Sequence, residues 1–378
     1  MLSLKNILYT SLKRLTFYAF RICPINKRKI VFLNTNSYLS GPLNAVYDEL
    51  IQNGCVENQI VILSNSETLI NERKTVKYGS LKSIYEIVTS KVWISDGRQQ
   101  SYFKKRKKQF YIMTWHGSAP IKFIEKDAEA TLPKGYIKCA KNDSKNADLL
   151  VAQSKHMYSI MRNSFWYEGA ILRESFTKEF NELTSKTSGE IHREFGIPLD
   201  KKIILYVPTF RKNSNEDCYN LDYQNIVDRV SGAAGKQYVI IVRLHENALQ
   251  FAKNIKYNES VLYGTDYPSV EKLISAADYV ITDYSGCLFK AYYAGKNVVL
   301  YMPDLSEYLM HDRGTYYDLK KLPSPVARDE TALIDAIVSY DEKRYLNGRE
   351  EILSKIGYYG GNAEKTIARM IMHTLERE

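Results

Sequence analysis

The sequence predicts an α/β protein with two Rossmann-like halves that face a central cleft. The chain has 378 residues and a hydrophobic content of 44%, which suits two domains with packed cores better than one. Short β-rich segments alternate with helical ones, as in parallel sheets that helices cover on both faces. The alternation occurs in two sets, separated by the polar helical segment TKEFNELTSKTSGEIHREFG (177–196).

The first set of β-rich segments lies in the N-terminal half, and each member ends in polar or turn-forming residues. Its members are KIVFLN (29–34), QIVILS (59–64), KVWISD (91–96), FYIMTW (110–115) and DLLVAQS (148–154). The second set lies in the C-terminal half, and its members are KKIILYVPTFR (201–211), YVIIVRLHEN (238–247), ADYVITDYSG (277–286) and NVVLYMPD (297–304). Helices are predicted between the strands, for example over 40–50 and 80–90.

These segments predict how the chain is organised. An N-terminal Rossmann-like domain is expected over 29–175 and a C-terminal one, which binds a nucleotide-activated donor, over 201–362. The polar segment 176–200 connects them. The flanking parts, 1–28 and 363–378, are each expected to be helical.

The positive charge of the chain is concentrated at its N-terminus. The formal net charge is +10, and residues 1–30 contribute +7 because they contain seven basic residues and no acidic one. The rest is close to balanced, so a broad nucleic-acid-binding face is not expected. The internal basic run KKRKK (104–108) is interpreted as a solvated turn in preference to a lipid or phosphate contact.

The segment 1–28 is predicted to be a basic amphipathic helix. Leu4, Leu8, Leu12 and Leu15 recur at helical spacing. Charged residues interrupt the apolar run, so it is too short to span a bilayer, and it lacks the cleavage site of a signal peptide. A helix in the interface of an anionic membrane is favoured. A helix packed on the protein's own core, with a solvated basic edge, is the alternative.

Several classes of function are disfavoured by the residues present. The five cysteines include no C-x-x-C pair, and the six histidines include no H-x-x-x-H pair, so neither a disulfide framework nor a metal site is expected. No G-x-G-x-x-G sequence follows the first strand, and no Walker A sequence is present. A transferase that needs no metal or other cofactor is the more economical prediction.

His116 follows the predicted strand FYIMTW, within the stretch TWHGSAPIK (114–122). The carboxyl end of a parallel strand is where α/β proteins place their chemistry. An imidazole at such a position, beside Gly117, can take a proton from an acceptor hydroxyl. A general base is therefore favoured over a structural histidine that holds the turn.

Polar residues also follow the strands of the second set. Arg243 and His245 lie two residues apart on one predicted strand, so they share a face that suits a pyrophosphate. The hydroxyl of Ser285, with the amides of Gly286 and Cys287 at the start of a predicted helix, suits a phosphate. A simple capping role for Ser285 is equally favoured. Arg211 and Asp283 follow their own strands at the same predicted edge.

Five ordered motifs resemble the CDP-glycerol glycerophosphotransferase family, the primases and polymerases of teichoic acid synthesis. They are TWHGSAPIK, YVPTFR, VRLHEN, ADYVITDYSG and DLSEY…RGTYYD, and the resemblance extends from about residue 29 to 320. It implies a GT-B-type architecture with the active site between the two domains. It also implies that 363–378 crosses back to the first half, and that the protein is peripheral (monotopic) at the cytoplasmic face of the cell membrane.

The resemblance implies transfer of glycerol phosphate from CDP-glycerol to a hydroxyl of a lipid-linked or glycan acceptor, with release of CMP, in teichoic acid or capsule-like polymer synthesis. His116 would be the base, and His245 would contact the donor phosphates. The other residues implied on the donor side are Arg211, Arg243, Asp283, Ser285, Gly286, Cys287, Arg313 and Asp318. Those expected on the acceptor side are Gly117, Ser118 and Lys122.

The sequence also departs from the family pattern, which keeps other readings open. Gly286 stands in place of a serine, Lys290 in place of an aspartate and Glu246 in place of a proline, while LRES (172–175) keeps only Arg173 of its motif. A ribitol phosphate transferase is one alternative. A GT-B glycosyltransferase that uses a nucleotide sugar is another. A non-enzymatic basic protein that binds membranes or nucleic acid is disfavoured by the ordered His, Arg and Ser positions.

Overall fold

The chain forms two compact units, each with its own parallel sheet. The computed structural model describes residues 4–34, 39, 41–65, 75–211, 218–311 and 314–376. Unit 1 comprises Met1–Ser118, Glu125–Lys178 and Tyr358–Glu378, and unit 2 comprises Ala119–Ile124 and Glu179–Gly357. The chain therefore enters unit 2 briefly, directly after the TWHGS sequence, before it returns to complete unit 1.

The sheet of unit 1 has seven parallel strands among the described residues, in the order β3-β2-β1-β4-β5-β6-β7. The strands are β1 (Asn26–Phe32), β2 (Ile60–Ser64), β3 (Thr75–Lys77), β4 (Ser90–Ser95), β5 (Phe110–Met113), β6 (Leu149–Ala152) and β7 (Ala170–Arg173). The strand order reverses between β1 and β4. In doubly wound sheets, ligands bind at the carboxyl ends of strands near such a reversal.

The helices of unit 1 cover this sheet. They are α1 (Leu4–Ala19), α2 (Gly41–Gln52), α3 (Leu81–Thr89), α4 (Lys134–Asn146), α5 (Lys155–Ser164) and α15 (Ala363–Glu376). α15 packs against α2 in a core with Ile30, Leu43 and Ile367, all of which are fully buried. The C-terminal helix therefore belongs to the unit that contains the first strands.

The sheet of unit 2 has six parallel strands among the described residues, in the order β10-β9-β8-β11-β12-β13. The strands are β8 (Lys202–Tyr206), β9 (Tyr238–Val242), β10 (Val261–Tyr263), β11 (Tyr279–Thr282), β12 (Asn297–Tyr301) and β13 (Val326–Ala327). Counted from β8, this is the 3-2-1-4-5-6 order of a Rossmann sheet, with its reversal between β8 and β11.

The remaining helices lie in or lead into unit 2. They are α6 (Thr177–Thr184), α7 (Ser188–Glu194), α8 (Tyr223–Ala234), α9 (Leu249–Ala252), α10 (Val270–Ala276), α11 (Cys287–Tyr293), α12 (Leu305–His311), α13 (Glu330–Val338) and α14 (Glu342–Ile356). Apolar residues of β8, β9 and α8, such as Ile204, Ile240 and Ile226, are fully buried and form the core. The polar segment predicted as a connector forms α6 and α7.

The N-terminal helix α1 packs on unit 1 through one side only. Phe17 is 1% exposed and stacks on Phe103, with ring centroids 5.3 Å apart. Leu8, Leu12 and Leu15 are 64%, 59% and 69% exposed. The side chains of residues 4–7 lie outside the described part of the structure. Among the described residues, no helix combines the length and the apolar character needed to cross a membrane.

Candidate active site

His116 lies directly beyond the carboxyl end of β5, on a turn tied to the neighbouring strand β4. Its side chain is exposed, and its Nδ1 lies 2.8 Å from the carbonyl oxygen of Asp96, the residue after β4. A carbonyl oxygen can only accept, so Nδ1 carries the hydrogen in this contact. In the neutral imidazole, Nε2 then holds the lone pair, which is the arrangement that a general base requires.

The residue before His116 has an unusual backbone. Trp115 has φ +58°, in the left-handed region that side chains other than glycine rarely adopt. Its ring stacks on the His116 ring, with centroids 4.5 Å apart and an interplanar angle of 27°. Trp115 is 6% exposed, so the strained residue is held by packing while the imidazole beside it remains accessible.

A buried arginine, Arg98, lies close to the Trp115 ring. The Arg98 side chain is 4% exposed and donates to Glu125 at 2.7 Å, with Asp143 at 3.5 Å. Its guanidinium carbon is 5.7 Å from the centre of the Trp115 ring and 4.7 Å from that of Phe165. These contacts fix the position of the Trp115 ring. No role was predicted for Arg98, although it follows the predicted strand KVWISD (91–96) by two residues.

Burial also changes the acidity of Asp143. Removal of the carboxyl group from water raises the pKa of Asp143 to about 6, although Arg98 and the hydroxyl of Tyr111 favour its ionised form. Tyr111 donates to this carboxylate at 3.0 Å. The group therefore titrates close to neutral pH within the cluster that supports Trp115.

The three residues expected on the acceptor side are distributed over both units. Gly117 directly follows His116. Ser118 is buried, and its carbonyl oxygen accepts a 2.7 Å hydrogen bond from the hydroxyl of Ser154, the N-cap of α5. Lys122 lies in the short segment that belongs to unit 2, where its backbone forms an isolated antiparallel β-bridge with that of Thr315.

In unit 2, Arg211 and Asp283 follow β8 and β11, the two strands at the reversal of strand order. The structure pairs the two with each other at 2.8 Å, and their contact with the donor stays a prediction. Arg211 also pairs with Asp304 at 2.6 Å, and Asp283 accepts from the amide of Thr209 at 2.9 Å. The side chains of Arg211 and Asp283 are 4% and 1% exposed.

The surroundings of this pair explain why the two side chains bind each other. The Arg211 guanidinium carbon lies 4.9 Å from the centre of the Tyr284 ring and 5.5 Å from that of Tyr308. Its remaining nitrogen donates to the carbonyl oxygen of Thr209 at 2.8 Å. Charges removed from water must be paired to be tolerated, so these groups bind one another.

Arg243 and His245 follow β9 and remain at least partly accessible. Arg243 donates to the carbonyl oxygens of Gly264 and Tyr267. The Nδ1 atom of His245 accepts a 3.1 Å hydrogen bond from the amide of Asn247. In the neutral ring, Nε2 therefore carries the hydrogen, and it is suited to donate to a phosphate oxygen. His245 is exposed, and its ring centroid lies 6.1 Å from that of Phe210.

The start of α11 differs in part from the expectation of free amides. The amide of Cys287 donates to the Ser285 hydroxyl at 3.2 Å, while the N-cap position of the helix is Gly286. Lys290, the expected extra cation at this helix, is paired with Glu179 at 2.9 Å and Glu271 at 2.5 Å. Lys290 therefore adds no net positive charge to the start of the helix. Gly286 is the residue just before the helix.

The last two expected donor-side residues provide less information. Arg313 lies outside the described residues. The carboxylate of Asp318 is 51% exposed and caps a short 3-10 turn by accepting from the amide of Lys320 at 3.1 Å. Within the described part of the chain, no three His, Cys, Asp or Glu side chains are grouped to hold a metal ion.

The motifs that place these residues are those of a known family. The family model described as CDP-glycerol:poly(glycerophosphate) glycerophosphotransferase matches residues 15–373, nearly the whole chain. The chain belongs to this family. The predicted family and the predicted type of enzyme, a glycerophosphotransferase-type transferase, are therefore confirmed.

Individual family relatives agree with this assignment. A teichoic acid glycerol-phosphate transferase of Staphylococcus aureus is 29% identical over 308 residues, which cover 77% of this chain and 78% of the relative. A teichoic acid ribitol-phosphate primase of Bacillus spizizenii is 25% identical over 338 residues, which cover 85% of each chain. The solved structure of the wall teichoic acid polymerase TagF matches with a TM-score of 0.82 at 21% identity, over 98% of this chain and 95% of TagF. This likeness confirms the predicted GT-B-type α/β fold with two parallel sheets.

Proposed function

We propose that this glycerophosphotransferase family member transfers glycerol phosphate from CDP-glycerol to a hydroxyl of a membrane-associated, lipid-linked or glycan acceptor, in the synthesis of teichoic acid or a related surface polymer. The observation that carries the proposal is the Nδ1 contact of His116 with the Asp96 carbonyl oxygen at 2.8 Å. It leaves Nε2 of an exposed imidazole able to accept a proton. Family membership supplies the reaction type.

The reaction is a displacement at phosphorus. The acceptor oxygen attacks the phosphorus that carries glycerol, and the bond from that phosphorus to the bridging oxygen breaks. CMP leaves with the bonding electrons, and the proton of the acceptor hydroxyl passes to Nε2 of His116. Negative charge grows on the departing phosphate, where Nε2–H of His245 and the Arg243 guanidinium provide stabilisation. Ser285 and the turn before α11 complete the donor side.

A donor screen tests this function. Purified protein is incubated with CDP-glycerol, CDP-ribitol and UDP-sugars together with a β-linked disaccharide lipid, and the released nucleotide is identified. CMP released from CDP-glycerol, and lost in His116→Ala, is the expected result. His373→Ala, which changes an exposed histidine of α15, is the matched control and should retain full activity. A nucleoside diphosphate from a UDP-sugar, with CDP-polyols inert, would overturn the proposal.

CDP-ribitol is the second candidate donor, because a ribitol-phosphate primase is among the relatives at 25% identity. The two donors differ only in the polyol, and none of the contacts described above distinguishes glycerol from ribitol. A higher kcat/KM for CDP-ribitol than for CDP-glycerol in the same screen would establish the ribitol alternative.

We also propose that α1 binds the membrane interface on the cytoplasmic side. Leu8, Leu12 and Leu15 are spaced four and three residues apart, so they share one helix face, and each is more than half exposed. The same helix carries two basic residues, Lys13 and the exposed Arg14. Exposed leucines on a helix with basic residues suit an anionic lipid surface.

Vesicle flotation with phosphatidylglycerol tests the membrane proposal. Replacing Leu8, Leu12 and Leu15 with Gln should abolish flotation, because each lost leucine removes apolar area from the lipid contact. Leu199→Gln, at a 79% exposed leucine of unit 2, is the control. These substitutions are preferable to deletion of 1–28, which would also remove the buried Phe17 and the first residues of β1. Equal flotation of the triple variant and the parent would contradict the proposal.

A further inference from the structure

We propose that Arg162, Arg173 and the hydroxyl of Tyr158, together called the arginine pair site, bind a phosphate group of the acceptor. This inference rests on the proposed function, because it assigns part of the acceptor to unit 1. The site lies apart from the residues that the motifs assign to catalysis. Of these three residues, only Arg173 belongs to a family motif, the one that LRES (172–175) keeps in part.

The three side chains meet at one atom. Arg173 ends the edge strand β7, and its Nη2 donates to the Tyr158 hydroxyl oxygen at 2.7 Å. Arg162, one turn after Tyr158 on α5, donates through Nε to the same oxygen at 3.3 Å. The Arg173 guanidinium carbon lies 4.1 Å from the centre of the Tyr158 ring, and that of Arg162 lies 5.5 Å away.

The charges at this point are not balanced by the protein. Within the described residues, no carboxylate lies within 4.0 Å of either guanidinium, and both arginines are exposed. By contrast, two other cations of unit 1 are paired with acids: Lys105 with Asp148 at 2.9 Å, and the buried Arg98 with Glu125. Two guanidinium groups that converge without an acid form a local positive potential that an anion would relieve.

The hydrogen bonding also favours a phosphate as the anion. The Tyr158 oxygen accepts from both arginines, so its own hydrogen remains available to donate outward. Donation by Arg162, and then by Arg173, lowers the pKa of the Tyr158 hydroxyl from its ordinary value, as expected in a positive field. Arg162 is further anchored by donating to the carbonyl oxygen of Gly169 at 3.0 Å. Planar guanidinium groups with remaining N–H donors match the oxygens of a phosphate.

The position of the site relates it to the acceptor. β5, β6 and β7 are consecutive parallel neighbours, so the ends of β5 and β7 are about 10 Å apart at the usual strand spacing. His116 follows β5, and Arg173 ends β7. The Ser154–Ser118 hydrogen bond ties the start of α5 to the turn that carries His116. One donor phosphate is the reaction centre and the other is bonded to it through the bridging oxygen, so both lie close to the attacked hydroxyl. We therefore assign a phosphate at the arginine pair site to the acceptor.

The ligand class is thus a phosphate monoester, diester or pyrophosphate located along the acceptor from its reacting hydroxyl. A lipid-linked saccharide contains such groups at its lipid end, and a growing polyol phosphate chain contains them at every unit. A phospholipid headgroup has the same chemistry. Acceptor phosphate is the source that we propose, because Arg173 lies at the carboxyl end of the sheet of unit 1, beyond which His116 also lies.

Steady-state kinetics in phospholipid-free detergent test the site. Arg162→Gln, Arg173→Gln and the double variant are compared with Arg369→Gln, an exposed arginine of α15 in the same unit. One acceptor is a disaccharide linked to lipid by pyrophosphate, and the other is the same disaccharide as a phosphate-free alkyl glycoside. With the first, each single variant should raise the acceptor KM about tenfold, while kcat and the KM for CDP-glycerol stay within about twofold. With the second, the variants should match the parent.

Three results would overturn the inference. They are an unchanged KM for the pyrophosphate acceptor, an equal rise with both acceptors, and a loss confined to binding of phosphatidylglycerol vesicles. Calorimetric binding of a short-chain pyrophosphate acceptor provides a readout that needs no turnover. If the parent releases no CMP from CDP-glycerol, the proposed function fails, and weaker binding by the double variant than by Arg369→Gln still decides the inference. Tyr158→Phe, which keeps the ring, should have a smaller effect than either arginine variant.

Discussion

The two candidate histidines hold their Nδ1 atoms in opposite hydrogen bonds. His116 in unit 1 faces a backbone carbonyl oxygen, that of Asp96, at 2.8 Å. His245 in unit 2 faces a backbone amide, that of Asn247, at 3.1 Å. Because a carbonyl accepts and an amide donates, the neutral rings leave Nε2 as an acceptor in His116 and as a donor in His245. The backbone group beside each ring therefore decides whether its Nε2 can accept or donate a hydrogen bond.

Each histidine lies near a buried arginine cluster, and the two clusters have similar compositions. Each unit has an arginine whose side chain is 4% exposed, Arg98 in unit 1 and Arg211 in unit 2. Each arginine has two carboxylates beside it and two aromatic rings within 6 Å. In unit 1, one of these rings stacks directly on the histidine, whereas in unit 2 the histidine lies near the residue before the arginine. The difference indicates tighter positioning of His116.

The largest effect is expected from a substitution that separates the two histidine roles. A glutamine side chain donates a hydrogen bond but cannot take a proton at neutral pH. His116→Gln should therefore lower kcat about a thousandfold, as much as His116→Ala does. His245→Gln should retain more activity than His245→Ala, because the amide replaces part of the Nε2–H donation. Rates of CMP release measure both pairs.

The opposite pattern would contradict the two roles proposed for the histidines. If His116→Gln kept a tenth or more of the activity of the parent, His116 would be a hydrogen-bond donor and not the base. If His245→Gln were as inactive as His245→Ala, donation from Nε2 would not be its contribution. Circular dichroism of each variant should match that of the parent, because both rings are exposed.

The next effect concerns the buried arginines. Arg98→Met leaves Glu125 and Asp143 without a cation in a buried site, so it should lower the free energy of unfolding by about 3 kcal/mol. Urea denaturation, followed by the fluorescence of the tryptophans of unit 1, measures this loss. Arg369→Met, at an exposed position of the same unit, should change the free energy by less than about 0.5 kcal/mol. A loss below about 1 kcal/mol for Arg98→Met would contradict the role assigned to the cluster.

The smallest effect is a pH dependence in unit 1. Burial raises the pKa of Asp143 to about 6, above the ordinary value of 3.8. Between these values the folded state holds this proton more often than the unfolded state, so stability declines as the pH rises from about 4 to about 6. The Asp143→Asn variant lacks the titration. The thermal midpoint of the variant minus that of the parent should therefore increase as the pH rises from about 4 to about 6.

Other titrating groups are common to the parent and the Asp143→Asn variant, so they cancel in that difference. A difference in thermal midpoint that stays constant from pH 4 to pH 6 would show that Asp143 titrates at its ordinary value.

The central strands could be predicted from the sequence, but the edge strands could not. FYIMTW and YVIIVRLHEN contain the strands Phe110–Met113 and Tyr238–Val242, because buried parallel strands have continuous apolar runs. The four strands without a sequence prediction are β3, β7, β10 and β13, of two to four residues each. None of these four strands has more than one buried residue, so none forms the continuous buried apolar run that reveals a central strand. β7 matters most, because it places Arg173.

The sequence alone determined the family, the two-sheet α/β class and the positions of His116 and His245, because these depend on local order: an apolar run followed by a polar turn. Only the tertiary structure decided which polar residues pair with one another. Arg211 and Asp283 lie 72 positions apart in the chain yet form an ion pair, and Arg162 and Arg173 meet on the hydroxyl of Tyr158. Pairing of charges depends on burial and distance in space, neither of which is encoded in sequence spacing.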